Sequence, residues 1–212
     1  LEKMHTMVRD IKDDSIKRIK KIMDSEANEI ARTANDLNPL ELQQVLYILK
    51  KCQGKIITTG CGTSGTAAKK IAHTFNCTGL SAFFLSPAEA LHGGMGAIDK
   101  EDVVIFISKG GHSSELDLMI ESVIKKGAVT IIVTENKNSV LAQKGSQTLL
   151  VKVEKEPDQF NMLATASTLA VISTFDAITI ELSEERNYTQ EEFLVIHPGG
   201  KVGEQLAEQF SD

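Results

Sequence analysis

The chain has 212 residues, 23 of them Lys or Arg and 29 Asp or Glu, for a formal net charge of −6. At 42% hydrophobic and 25% charged, it can bury a sizeable core beneath an ordinary polar surface, which suits one domain or one domain with an extension. An acidic chain lacks the general positive field that draws polyanions, which argues against a nucleic-acid partner. Cys52, Cys61 and Cys77 are odd in number and dispersed, forming neither a disulfide framework nor a zinc ribbon. A reducing, cytoplasmic setting is expected. No secretory pattern opens the sequence. The most apolar stretch, Leu163–Leu182, carries threonines, serines and Asp176, so it reads as a buried core helix and no membrane partner is expected.

Residues 1–51 have a helical rhythm. Met4, Val8, Ile11, Ile19, Ile22, Met23, Ala27, Ile30, Ala31 and Ala34 advance mostly by three or four, giving one stripe of a long helix. Asn38-Pro39 restarts the chain, with Asn38 as cap and Pro39 in the first helical position. Leu42, Val45, Leu46 and Leu49 then line a second helix. Charges of both signs are mixed through this segment, so no basic reading face forms. It is expected to be a packing or oligomerisation extension, with the main domain at 52–212.

From Lys55 onward, short β-rich runs alternate with amphipathic stretches. The expected strands are Lys55–Thr59, Ser81–Leu85, Val103–Ile107, Thr130–Thr134 and Thr148–Val151. Helical patterns fill Ser64–Asn76, Ser113–Lys126 and Ser139–Lys144, and the tail from Leu163 reads as helices around a turn at Ile196–Gly200. Strands alternating with helices predict an α/β fold. We expect a three-layer sandwich whose five-stranded parallel sheet is doubly wound in flavodoxin-like order.

Ligands of such a sheet sit beyond the carboxyl ends of its strands. The first strand ends in Thr59-Gly60-Cys61-Gly62-Thr63-Ser64-Gly65 and runs straight into a helix. Glycines permit the tight turn, and free N–H groups at the helix start hold an anion. The spacing is formally GxGxxG. A dinucleotide site would need an acidic residue about 20 positions on, closing the second strand. That strand ends instead in Phe84-Leu85-Ser86-Pro87, and no arginine lies between Arg32 and Arg186. A small phosphate ester is the better fit. The third strand ends in Ile107-Ser108-Lys109-Gly110-Gly111-His112-Ser113-Ser114-Glu115, a second loop of hydroxyls and glycines at a helix start, where Ser113 can cap.

These residues resemble the SIS (sugar isomerase) domain, and in particular its arabinose-5-phosphate isomerase-like branch. The likeness runs from about Lys55 to Leu206. Its anchors are the Gly60–Gly65 loop, Phe83-Phe84 with Pro87-Ala88-Glu89-Ala90-Leu91-His92-Gly93, the Ile107–Glu115 loop, Val151-Lys152-Val153 with Lys155-Glu156, and His197-Pro198-Gly199-Gly200. The resemblance implies interconversion of an aldose and a ketose phosphate by a homo-oligomer, tetramer or dimer, with sites at subunit interfaces. Arabinose 5-phosphate and ribulose 5-phosphate are the first candidates.

Carried over residue by residue, the catalytic set is Glu156, His197, His92 and Glu115. Moving a proton between C1 and C2 through an enediol needs a carboxylate shuttle, and ring opening needs a group such as histidine that trades protons near neutral pH. Glu156 is expected as the base and His197 as the ring-opening group, with the reverse assignment open; His92 and Glu115 would orient hydroxyls or relay protons. Gly62, Thr63, Ser64, Ser108, Lys109, Gly110, Ser113 and Thr168 are the expected substrate-binding residues. The resemblance also places a lysine where this chain has Thr63, and a serine and glutamate where it has Gly110 and His112; Lys109 stands where an uncharged residue is usual. Enediol chemistry needs no cofactor and no metal, so neither is expected. Two other readings share the domain: a phosphosugar sensor without turnover, and an isomerase of a hexulose or amino-sugar phosphate. Many members of the branch continue into nucleotide-binding repeats, whereas only 12 residues follow Gly200 here.

Overall fold

The computed structural model describes residues 13–209. Helices α1 (Asp13–Asp36) and α2 (Pro39–Lys51) precede a run of alternating elements: β1 (Ile56–Gly60), α3 (Gly62–Cys77), β2 (Ala82–Phe84), α4 (Pro87–Leu91), β3 (Val103–Ile107), α5 (Ser114–Lys126), β4 (Val129–Thr134), α6 (Val140–Lys144) and β5 (Gln147–Leu150). Three helices close the chain: α7 (Ala166–Glu185), α8 (Gln190–Ile196) and α9 (Gly200–Gln209). The five strands lie in the order β2-β1-β3-β4-β5, every pair parallel. This is the doubly wound order expected from the sequence.

A parallel sheet covered on both faces needs strands that are apolar on both sides, and β1 and β3 are buried at every position. Alternate residues serve opposite layers. Ile56, Val103, Ile105, Ile107, Ile131, Val133 and Leu149 pack with Val45 and Leu49 of α2, Ile71 and Phe75 of α3, and Phe175, Ile178 and Leu182 of α7. Ile57, Val104, Phe106 and Ile132 face the other way, onto Leu116, Met119, Ile120 and Val123 of α5, Ala90 of α4 and Leu141 of α6. Phe75 meets Phe175 edge to face, centroids 6.3 Å apart.

Asn38 caps α2 as expected, its side chain accepting the Leu40 and Glu41 N–H groups at 2.9 and 3.3 Å. The stripe on α1 behaves differently from a core seam. Ile16, Ile19, Ile22 and Met23 are exposed in the single chain, while Met4, Val8 and Ile11 fall outside the described residues. The C-terminal half of α1 instead lies along α7. Helix α7 is long and apolar enough to cross a membrane by length and composition, yet Ala170, Phe175, Ile178 and Leu182 are buried in the sheet-facing core.

Strand β5 is a sheet edge, and α1 and α2 bring carboxylates to it. Glu41 accepts the Leu150 N–H at 2.9 Å and Glu29 accepts the Glu154 N–H at 2.7 Å. Arg32 of α1 pairs with the Glu154 side chain. The strands β1 and β5 are each displaced by one residue from the expected limits, and β2 is shorter. Two elements have no clear apolar period to announce them: α4, started by Pro87 at its first position, and a 3₁₀ turn at Gly94–Ala97.

Candidate functional site

Two glycine loops meet at the carboxyl ends of β1 and β3. In the first, Gly62 adopts φ +56°, a left-handed turn that glycine makes without strain. A Cβ on Gly65 would stand 2.6 Å from the Gly60 carbonyl oxygen, so only glycine lets α3 start this close to β1. Cys61 occupies the cap position of α3 without a side-chain cap bond. The first amides of α3 therefore point outward beside the exposed Thr63 and half-buried Ser64.

In the second loop, the buried Ser108 donates its N–H to the Val133 carbonyl at 3.0 Å. Gly111 has φ +68° and packs where a Cβ would fall 2.0 Å from Ser139 Oγ. Ser113 sits at the cap position of α5, but its hydroxyl makes no cap bond. The capping expected of it is thus corrected: in its extended conformation it lies 3.9 Å from Cys61 Sγ instead and joins the two loops. His112 is exposed and lies 2.6 Å from Asp117. Gly110 is exposed.

Glu156 is the most heavily engaged of the expected site residues. Its side chain has 0% exposure. It accepts Lys109 Nζ at 2.6 Å, the Ser167 hydroxyl, the Thr165 N–H at 3.0 Å and the Ser167 N–H at 3.4 Å. Burial pulls its carboxyl upward, but the Lys109 ammonium, the Ser167 hydroxyl and the Thr165 amide outweigh burial and hold it below the ordinary carboxylate range. A carboxylate at the start of α7 also meets the favourable end of that helix dipole.

Lys109 reaches from the end of β3 across to this carboxylate. Its carbonyl accepts the Glu135 N–H and the Thr134 hydroxyl, each at 3.0 Å, which fixes the loop to the end of β4. Its ammonium lies 3.9 Å from Glu135, and its side chain stays 39% exposed. Sequence reasoning does not single out Glu135, although it directly follows the fourth strand, where ligand groups are expected. Burial pushes its carboxyl up, against the lowering pull of Lys109 and of the Val153 N–H.

Two cavities flank the glycine loop. The deeper, about 40 Å³, is lined by Thr63 and Ser64 of α3, Lys109, Thr134 and Glu135 at the strand ends, and Ser167 and Thr168 of α7. Thr168 donates its hydroxyl to the Ala164 carbonyl at 2.9 Å. The outer cavity, about 280 Å³, is lined by Gly60, Cys61, Gly62, Lys69, Phe84, Ser86 and Glu115. Glu115 is exposed, and its own N–H and the Ser114 hydroxyl hold its carboxyl below the usual range. Lys69 Nζ lies 5.0 Å from the centre of the Phe84 ring, a cation–π contact that no spacing in the sequence announces.

The histidines stand apart from these cavities. His92 is exposed at the end of α4, before Gly93 at φ +108°. His197 ends α8, its ring stacked on Phe193 at 3.9 Å and its Nδ1 3.1 Å from the Phe193 carbonyl. Neither lines the deeper or the outer cavity. The described residues contain no group of three or more His, Cys, Asp or Glu placed to hold a metal ion.

A family profile for the SIS domain matches residues 48–180. The arabinose 5-phosphate isomerase GutQ of Salmonella typhi is 38% identical over 159 residues, covering 75% of this chain and 50% of its own length. The chain thus spans about half the length of the curated relatives it matches. A Listeria monocytogenes structure described as a candidate sugar-phosphate isomerase superposes with a TM-score of 0.87 at 46% identity, covering 89% of this chain and 100% of that one. An E. coli CFT073 protein solved in complex with arabinose 5-phosphate gives a TM-score of 0.84 at 34% identity, over 87% of this chain and 98% of that one. With the parallel sheet, the paired glycine loops and these matches in agreement, the chain belongs to the SIS domain family.

Proposed function

We propose that this chain is a phosphosugar aldose–ketose isomerase that works through an enediol, with arabinose 5-phosphate and ribulose 5-phosphate as the first substrate pair. The observation that carries this reading is the meeting of two hydroxyl-rich glycine loops around cavities that also hold Lys109, Glu135 and Glu115. The relatives named arabinose 5-phosphate isomerase, and the related structure with that sugar phosphate bound, support the choice of sugar.

In this reading, the α3 amides with Thr63, Ser64, Ser108 and Ser113 hold the phosphate, and Ser167, Thr168 and Lys109 close over it from the other side. Gly62 and Gly110 let the backbone approach. The pentose lies toward the outer cavity. The C1/C2 base must touch the substrate, and a fully buried carboxylate with four donors does not. We therefore move that role from Glu156 to Glu115, which is exposed and lines the outer cavity. His92 and His197 serve ring opening and hydroxyl orientation. Because His197 lies outside both cavities, a second copy of the chain supplies it, which makes the active species an oligomer whose extension, residues 1–51, contributes to assembly. No cofactor takes part.

Proton NMR of ribulose 5-phosphate incubated with the protein in D2O tests the reading. The expected result is arabinose 5-phosphate carrying deuterium at C2. Product without deuterium would overturn solvent-exchanging enediol transfer, and no product from any five-, six- or seven-carbon ketose phosphate would overturn the activity.

A further inference from the structure

We propose that Glu156 is a positioning residue: it locks Lys109 so that the ammonium, fixed at the end of β3, faces the anionic part of the substrate. This deepens the proposed function and rests on that reading for its substrate class. Three observations carry it. Glu156 has a side chain with 0% exposure and every contact turned inward, so it acts through another group. Lys109 spends one donor on Glu156 at 2.6 Å while keeping 39% of its side chain exposed. Among the described residues that line the deeper cavity, Lys109 is the one cation, and it faces Thr63 and Ser64 at the start of α3.

The pairing has a physical purpose beyond charge. A lysine stem carries considerable rotamer entropy, and an unpaired lysine would lose that freedom each time an anion bound. Held by Glu156, whose own place is set by the Ser167 hydroxyl and the Thr165 and Ser167 amides at the start of α7, the ammonium loses it once, on folding. Its remaining donors then meet a phosphate or a developing enediolate without reorganisation, the condition under which such groups are most effective. The pair also ties the β3 loop to the start of α7, so both walls of the cavity keep one spacing.

The test is a double-mutant cycle on the full chain: Lys109→Met, Glu156→Gln and the pair together, with Lys109→Arg as the conservative variant. Isomerisation of arabinose 5-phosphate gives kcat and KM, and calorimetry of the same sugar phosphate gives Kd. Circular dichroism identifies any variant that fails to fold. Lys109→Met is expected to lower kcat/KM by about a hundredfold. Glu156→Gln is expected to cost a similar factor by letting the ammonium drift about 1 Å. In the Lys109→Met background Glu156→Gln should change kcat/KM less than roughly threefold, because its effect runs through Lys109. Lys109→Arg should restore at least a tenth of the wild-type value. An equal cost of Glu156→Gln in both backgrounds would overturn the proposal and return Glu156 to the role of base. Lys109→Met within threefold of wild type overturns it as well. If the wild type binds arabinose 5-phosphate without turning it over, the activity alone fails, and the same cycle read in Kd decides the positioning role. If the wild type neither binds nor converts it, both fall.

Discussion

At the scale of single residues, the site is governed by three carboxylates in three environments. Glu156 is buried and over-supplied with donors, Glu135 is half-buried and under-supplied, and Glu115 is exposed. Their contributions to stability therefore run in opposite directions with pH. Glu156 has a folded value below its unfolded one, so its stabilisation is complete above the unfolded value and is lost as pH falls through the folded value. Glu135 has a folded value above its unfolded one, so it favours the folded state in acid and costs stability once pH rises through the folded value. Melting curves of Glu135→Gln and the wild type between pH 3 and 8 should show the variant gaining on the wild type as pH rises from the ordinary glutamate value. A constant difference across that range would contradict the upward push that partial burial gives the Glu135 carboxyl. The two glycine loops were readable in the sequence because they end strands and open helices, whereas Glu156, His197, His92 and Glu115 were carried over from the resemblance. The Lys109–Glu156 pair was not readable, since it joins positions 47 apart and no period or spacing brings a lysine after one strand to a glutamate after another. Glu156 is expected from the resemblance as the base, and only the fold shows that its side chain is buried.

At the scale of elements, the glycines decide how closely helices and loops approach the sheet. Gly111→Ala should destabilise the protein by about 2 kcal/mol or more, since the residue sits at φ +68° and its Cβ would meet Ser139 Oγ at 2.0 Å. Chemical denaturation reads that loss. Gly65→Ala pushes α3 away from β1, because the obstacle is the Gly60 carbonyl oxygen rather than a movable side chain. We expect it to weaken phosphate binding at least tenfold, by calorimetry with inorganic phosphate, because the α3 amides shift by a few tenths of an ångström or more. At the other end of the chain, Thr189 and Glu192 form a reciprocal capping box on α8. Thr189→Ala should cost about 1 kcal/mol and loosen His197, which ends the same helix. Most elements announced themselves in the sequence through a clear change from a period of 3.6 to runs of β-branched residues. The short helix α4 did not: its five residues, Pro-Ala-Glu-Ala-Leu, follow the Phe83-Phe84-Leu85 run with only Ser86 between, and the Pro87 that starts it was the available signal.

At the scale of the whole molecule, the single chain leaves work unfinished on two faces. Ile16, Ile19, Ile22 and Met23 form an uncovered stripe on α1, and Phe160, Met162 and Leu163 stand exposed in the loop that leads from Glu156 to α7. Both suit contact with further copies of the chain. Light scattering should give a mass above the 23.1 kDa of one chain, and the double variant Ile19→Glu, Met23→Glu should lower that mass and the isomerase rate together. A monodisperse monomer with full activity would contradict the shared site. The carboxylates that α1 and α2 send to β5 have a further consequence. A sheet edge with open N–H groups is a template for any passing strand. Glu41 and Glu29 occupy two such groups near that edge, so α1 and α2 act as a selvedge, the finished border that keeps a fabric from unravelling or catching. Trimming α1 and α2 would therefore do more than remove Val45 and Leu49 from one face of the core: it would open that border, and the shortened chain is expected to join its neighbours strand to strand.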